Sequence, residues 1–334
     1  MMRIPFADTI QTLTSILIRN GFAPERAAAC ALLFAETTRD GVLTHGVARF
    51  PRFVATIRNG SVDPAAEPVR LTGFGALERW DGSKGPGNLN ATAMMNRVIE
   101  LSRAHGVGCV ALRNTNHWMR GGTYGWQAAG AGFIGICWTN TMPNLPPWGG
   151  VERAIGNNPL VMGVPRKSGA VVLDMAMSQF SYGAIEKYRR NGELLPVDGG
   201  FDIAGNLTRN PAEIEESWRP LPAGLWKGSG LSIVLDVMAA TLSLGNATHA
   251  ISRDFLHETS LSQMFIAINP AALGGTEEAE RIADEVVASV HACAPADAAK
   301  PVRYPGEETL RKREENARLG LPVDESLWQE ILAL

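Results

Sequence analysis

His45 is one of six histidines, and four residues after it, in LTHGVARFPRF, stands Arg49. On a helix, side chains four apart share a face. The pairing suits a 2-keto acid. A guanidinium grips a carboxylate through two parallel hydrogen bonds, and an imidazole, which titrates near neutrality, can pass a proton to the adjacent carbonyl oxygen as hydride reaches its carbon. The same spacing also fits a histidine filling a helix start and an arginine on the surface. A second cluster, NTNHWMRGGTYGW, sets Asn114, Asn116, His117, Arg120 and Tyr124 beside paired glycines between an expected strand and an expected helix. Its polar groups would face a crevice; equally, Gly121 and Gly122 would only supply unusual backbone angles while Trp118 and Trp126 pack inside. In LWKGSGLS, Lys227 and two glycines precede a helix. A cation and free N–H groups there would suit a phosphate, or the glycines would simply give the helix a flexible start.

These groups need elements to hold them. GAGFIG, residues 130–135, matches the glycine fingerprint of dinucleotide-binding folds. That fingerprint works only where a strand ends in a tight turn and a helix begins. Here YGWQAA, a helix former, comes before it and the strand-like FIGICWTN after it, so Gly130 and Gly132 read as a helix stop and a tight connection. Phe6, Ile10, Leu13 and Leu17 recur at helical spacing, and a second helix follows Pro24 until Thr37 to Gly41 break it. A helix ending at Asn59-Gly60, short strands in PVRLTGFGALERWDG, a helix from about Asn90 to His105 and the strand GCVALRN come next. Strands in NPLVMGVP and AVVLDMAMS, a helix from about Ser229 to Leu244, the strand MFIAINP and three more helices complete an α/β chain of mixed strand order. Residues 191–227, rich in Gly, Pro and Asp without periodicity, read as a long functional loop.

Composition narrows the partners. With 334 residues the chain can bury a large core, and a net charge of −3 provides no basic field for nucleic acid or anionic lipid. The amino terminus lacks the apolar stretch of a secretory signal. LSIVLDVMAATLSLG carries Asp236 and is too short to span a bilayer, so a buried helix is expected. Cys30, Cys109, Cys137 and Cys293 lie far apart, with no C-x-x-C and no histidine at zinc-ligand spacing. No metal is expected, and reduced core thiols in a cytoplasm are the simplest reading.

The motifs THGVARFPRF, RNTNHWMRGGTYGWQAAGAGFIGICWTN, PPWGG, NPLVMGVP, SQFSYGAIE, LPVDGGFDIAGNLT, LWKGSGLSIVLD, SQMFIAI, RYPGEE and VDESLWQEILAL together cover nearly the whole length. Through them the chain resembles the malate/L-lactate dehydrogenase-like family of NAD(P)-dependent oxidoreductases, which is separate from the Rossmann lactate and malate dehydrogenases. The resemblance implies a non-Rossmann α/β fold with a large, mostly antiparallel mixed sheet flanked by helices and a helical N-terminal region. It divides the chain into an N-terminal helical region (1–60) carrying the THG motif, a cofactor- and substrate-binding sheet domain (61–300) and a C-terminal helical segment (301–334) returning to the first. It also implies a homodimer with cofactor and substrate near the subunit interface, and no nucleic-acid or membrane partner.

Residue by residue, His45 falls on the family's proton donor and Arg49 on the arginine expected to hold the substrate carboxylate; Thr44 takes a place often occupied by Ser. In some relatives the acid/base role belongs instead to the histidine matching His117, with an aspartate matching Asp202 as its partner. His45 is the favoured donor. The positions matching cofactor contacts are Val171, Val172, Leu173, Asp174, Met175 and Ala176, then Trp226 and Lys227, then Gly306, Glu307 and Glu308, with Asn140 in addition. The implied reaction is reduction of 2,3-diketo-L-gulonate at C2 with NADH as hydride donor and NADPH as the alternative. Malate, lactate, ureidoglycolate, sulfolactate or a cyclic imino acid are rival substrates within the family, and a cofactor-free ligand-binding protein is the rival outside it.

Overall fold

The computed structural model describes all 334 residues. Strand β1 (Met2–Ile4) leads into helix α1 (Phe6–Arg19), whose Leu13, Ile16 and Leu17 point inward as their spacing requires. Helix α2 (Pro24–Arg39) starts on a proline, which costs nothing where the first N–H groups have no intrahelical acceptor. Two short 3-10 turns, Leu43–His45 and Val47–Arg49, connect α2 to α3 (Phe50–Arg58). The sheet region follows as β2 (Val69–Phe74), β3 (Leu77–Asp81), α4 (Gly87–His105), β4 (Val107–Asn116), α5 (Gly122–Gly130), β5 (Ile134–Thr139), β6 (Leu160–Val164) and β7 (Val171–Met175). Then come α6 (Tyr182–Asn191), β8 (Gly200–Phe201), β9 (Leu207–Thr208), α7 (Pro211–Ser217), α8 (Trp226–Ser243), β10 (Thr259–Ile268), α9 (Thr276–His291), α10 (Glu307–Leu319), β11 (Leu321–Val323) and α11 (Glu325–Leu332).

Seven strands form one sheet in the order β2-β3-β4-β10-β5-β6-β7. Only β3 and β4 run parallel; every other pair is antiparallel, so the mixed, mostly antiparallel sheet expected of the sequence is present. Strand β10 sits at its centre, pairing with β4 on one side and β5 on the other. Helices α4 and α5 cover one face through Met94, Met95, Val98, Tyr124 and Ala128, which pack on Val110, Leu112, Cys137 and Phe265. Helix α8 covers part of the other through Leu235 and Ala239, against Ala111, Trp138, Leu160 and Met264. A separate core joins α1, α2 and α3 to the far end of the chain, where β1 pairs with β11 and Trp328 and Ile331 of α11 are buried.

GAGFIG follows the helix–turn–strand order, with Gly132 at φ +87° between α5 and β5. Three expectations change. The stretch 191–227 is not a continuous loop: it holds β8, β9 and α7 around a small core of Ile185, Leu195 and Ile214, in elements too short to show a period. Helix α8 is not buried all round, because Leu231, Val234, Val237, Met238 and Leu242 form an exposed apolar face opposite Leu235 and Ala239. Cys30 and Cys137 are core thiols, whereas Cys293 is exposed. No helix is long and apolar enough to cross a membrane.

Candidate active site

A cleft opens between α3, the end of β4 and the turn before β10, lined by Arg49, Arg52, Phe53, Asn116, His117, Met119, Phe255 and Glu258 among others. Arg49 and Arg52 reach it from the start of α3. They are not carried there by a continuous α-helix, as the spacing of His45 and Arg49 suggested. Gly46, at φ −94° and ψ −134°, interrupts the helix between the two 3-10 turns, and only glycine fits there, since a Cβ would lie 2.1 Å from Thr38 Oγ1 and 3.1 Å from Phe34 O. That close approach lets the Val47 N–H donate to Thr38 Oγ1 at 2.8 Å, locking the turn onto α2.

His45 and His117 stack, ring centroids 5.9 Å apart and planes 21° from parallel. The two alternative proton donors thus occupy one place. His45 Nδ1 lies 2.9 Å from Thr44 Oγ1, and when the hydroxyl is the donor the ring proton sits on Nε2. His117 Nδ1 accepts the Met119 N–H at 3.0 Å, which likewise leaves its proton on Nε2. Asn114 and Met119, at φ +52° and +64°, bracket His117; a left-handed methionine is a strained backbone of the kind that collects at functional turns. Trp118, Arg120 and Tyr124 of that cluster are structural, while Asn116 is both braced and on the cleft wall. Trp118 and Tyr124 are buried, with the Tyr124 hydroxyl donating to Trp118 O at 2.6 Å, and Asn116 donates to Lys84 O and Gly85 O. Arg120 turns away to pair with buried Asp40 at 2.7 Å, which Arg313 also holds through two hydrogen bonds.

The cleft is electrostatically poised. Burial, then the positive charges of Arg49, Arg120 and Arg52, bring His45 down to about 4; burial and the same two cleft arginines hold His117 well below the usual imidazole range. The Arg49 guanidinium makes no hydrogen bond or ion pair within the chain, and burial together with Arg52 lowers its pKa to about 10. A half-buried, unpaired guanidinium is an arrangement that an incoming anion completes. Arg52, in contrast, is partnered: it donates to Phe255 O at 2.7 Å and lies 3.6 Å from Glu258. Neither Arg52 nor Glu258 emerged from the sequence. The i, i+3 repeat of arginine in RFPRF was the available signal for the first; Glu258, some two hundred residues away, had none.

The remaining candidates separate into groups. Val171 to Met175 form the edge strand β7, continued by Ala176, and the Val172 N–H donates to Pro305 O at 2.9 Å. This brings Gly306, Glu307 and Glu308 against it: a Cβ on Gly306 would lie 3.1 Å from Val172 N and from Trp126. Glu307 accepts from Tyr304 N and pairs with His291, while Glu308 pairs with Arg303 and Arg311. Trp226 and Lys227 are exposed in the first turn of α8, a turn without acidic residues, and Ala223 just before it donates its N–H to Met177 O at 2.8 Å. Those three segments therefore adjoin. Two other residues are engaged elsewhere. Asn140, with no exposed surface, donates to Asp236 and Asn246 O and accepts from Ser262 N, so it has nothing left for a cofactor. Asp202 lies between β8 and β9 with its carboxylate on Asn206, and within the chain it is not the partner of His117, whose ring nitrogen is held by a backbone N–H instead.

The family model described as malate/L-lactate dehydrogenase matches residues 4–332. The chain belongs to this family. It is 49% identical over its full length, and over the relative's full length, to the 2,3-diketo-L-gulonate reductase of Citrobacter koseri. Among solved structures it is similar to the sulfolactate dehydrogenase of Methanocaldococcus jannaschii, with a TM-score of 0.92 and 27% identity over 100% of this chain and 98% of that one. It is also similar to the Δ1-piperideine-2-carboxylate reductase of Pseudomonas syringae, with a TM-score of 0.89 and 27% identity over 100% and 99%. Family membership makes the protein an oxidoreductase acting on CH–OH groups with a nicotinamide cofactor. A cofactor-free binding protein finds no support among these relatives. The residues suit such a cofactor: Lys227, exposed in a first turn of α8 that has no acidic residue, offers a cation to a pyrophosphate, and Gly306 leaves a cradle beside β7 that a side chain would fill.

Proposed function

We propose that this enzyme reduces the C2 carbonyl of 2,3-diketo-L-gulonate to give 3-dehydro-L-gulonate, with NADH as the preferred donor. The observation that carries the reading is Arg49, half-buried, with its guanidinium unpaired in the cleft that His117 lines and beside which His45 stacks. The full-length likeness to the Citrobacter koseri reductase supports the choice of substrate.

Arg49 would take the C1 carboxylate in a bidentate grip and so fix which carbonyl is presented for reduction. The bound nicotinamide supplies the hydride. Protonated His45, its Nδ1–H donating to Thr44 Oγ1, would deliver a proton from Nε2 to the alkoxide oxygen and be left neutral, and His117 would hold the His45 ring by stacking. Val171 to Ala176, Lys227 and Gly306 to Glu308 would hold the cofactor. Glu307 and Glu308 in the first turn of α10 would repel a 2′-phosphate and can accept from a ribose hydroxyl, which favours NADH over NADPH. The exposed apolar face of α8 supports assembly as a homodimer. Following NADH and NADPH oxidation with a panel of 2-keto acids and cyclic imino acids tests the reading. Highest kcat/KM for 2,3-diketo-L-gulonate with NADH is the expected result; highest kcat/KM for oxaloacetate, sulfopyruvate or an imino acid would replace the substrate.

A further inference from the structure

Arg52 and Glu258 form a second polar unit in the cleft, and every part of it is braced. The Arg52 guanidinium donates to Phe255 O at 2.7 Å and stacks 4.8 Å from the centre of the Phe255 ring. Glu258 Oε2 stands 3.6 Å from Arg52, and its Oε1 accepts the Met142 N–H at 3.2 Å. The Glu258 side chain is only 7% exposed, so it is a fixed wall of the cleft rather than a mobile surface acid. Exposed Asp254 also faces Arg52 but is paired with His257 at 2.7 Å.

The ionisable groups lining the cleft are Arg49, Arg52, Glu258 and His117. His117 accepts a hydrogen bond at Nδ1 and so carries no charge in this arrangement. Glu258 balances Arg52, leaving the one positive charge of unpaired Arg49. A ligand with one carboxylate neutralises the cleft. A ligand with two would leave the second carboxylate facing a guanidinium already satisfied and a carboxylate that repels it. A hydroxyl, in contrast, can donate to Glu258 and accept from Arg52.

We propose that the Arg52–Glu258 pair determines specificity for the substrate tail, admitting 2-keto acids with a single carboxylate and a neutral, hydroxyl-bearing tail and rejecting dicarboxylates. The inference deepens the 2-keto acid reading above and rests on it. Its effect lies in the ranking of substrates, which a merely structural contact would not reverse.

The experiment compares kcat/KM for 2,3-diketo-L-gulonate, pyruvate and oxaloacetate, with NADH, in the full-length wild type and in Glu258→Gln and Arg52→Gln. Wild type should favour diketogulonate, with oxaloacetate below pyruvate. Glu258→Gln keeps an oxygen for the Met142 N–H and frees Arg52, so the oxaloacetate-to-pyruvate ratio should rise by about tenfold or more, the scale of one added charge in a partly buried site. Arg52→Gln leaves Glu258 unpaired and should lower the same ratio. Glu258→Asp should return it towards wild type. Opposite shifts from two neighbouring substitutions cannot come from loss of fold. Turnover with the ratio unchanged in both variants, or a wild type that prefers oxaloacetate to pyruvate, would overturn the assignment of this pair alone; no turnover of any 2-keto acid by the wild type would overturn the underlying reading with it.

Discussion

Two neutral imidazoles beside an unpaired guanidinium set the pH behaviour of the site. With His45 at about 4, the protonated donor is scarce in the free enzyme at neutral pH. The kcat/KM for reduction, which reports the free enzyme, should therefore fall about tenfold per pH unit as pH rises above about 5. Initial rates across pH 5 to 8 check this, and a profile rising with pH would contradict it. Stability runs the other way. The folded-state pKa of His45 lies below the ordinary 6.5, so its contribution is complete above 6.5 and lost as pH falls through about 4. Urea midpoints of His45→Gln should accordingly fall less between pH 6.5 and 4 than those of the wild type. Arg49→Ala removes the carboxylate grip and should lower kcat/KM by roughly a hundredfold, mainly through KM, as expected for a lost charge-assisted pair. Sequence made His45, Arg49 and His117 legible because their residue types advertise chemistry. Glu258 was not legible, since a lone acid far along the chain becomes meaningful only when folding sets it against Arg52. Asn140 misled for the converse reason: an asparagine looks alike whether its amide is free or, as here, saturated.

The elements that hold these side chains depend on two local devices. Gly46 is required by the approach of its backbone to Thr38 and Phe34 rather than by an unusual φ. Gly46→Ala should cost about 1–3 kcal/mol from overpacking and lower turnover, because the turns that present His45 and Arg49 must move off α2. Chemical denaturation paired with steady-state kinetics reads both effects. Asp40, at the end of α2, receives Arg120 from the loop before α5 and Arg313 from α10. Burial raises its pKa, but hydrogen bonds and charge from Arg313 and Arg120 outweigh this and hold it below the usual carboxylate range. Asp40→Ala strands two cations, one only 5% exposed, and should destabilise the protein by about 3–5 kcal/mol, seen as a lower thermal midpoint. Long amphipathic helices and apolar strands were readable from periodicity. The 3-10 turns around Gly46 and the short elements within 191–227 were not, because neither is long enough to display a period.

At the scale of the molecule, α8 joins the sheet to solvent with apolar residues on both sides. Its composition predicted complete burial, and the single chain leaves Val234, Val237 and Met238 uncovered. In the proposed homodimer a second copy would cover that face. Analytical ultracentrifugation should give twice the 35.9 kDa chain mass for the wild type and the chain mass for a Val234→Lys, Val237→Lys double variant; two monomers would argue against the interface. In the proposed function, the arrangement of the sheet, the position of the cleft and the joining of both chain ends in one core would together present one histidine and one arginine to a 2-keto acid. The most direct measurement is the initial rate of NADH oxidation with 2,3-diketo-L-gulonate in the wild type and in His45→Ala, with NADH affinity measured in parallel. A loss of about 10²- to 10⁴-fold in kcat at unchanged NADH affinity is predicted; wild-type turnover in His45→Ala would contradict the account.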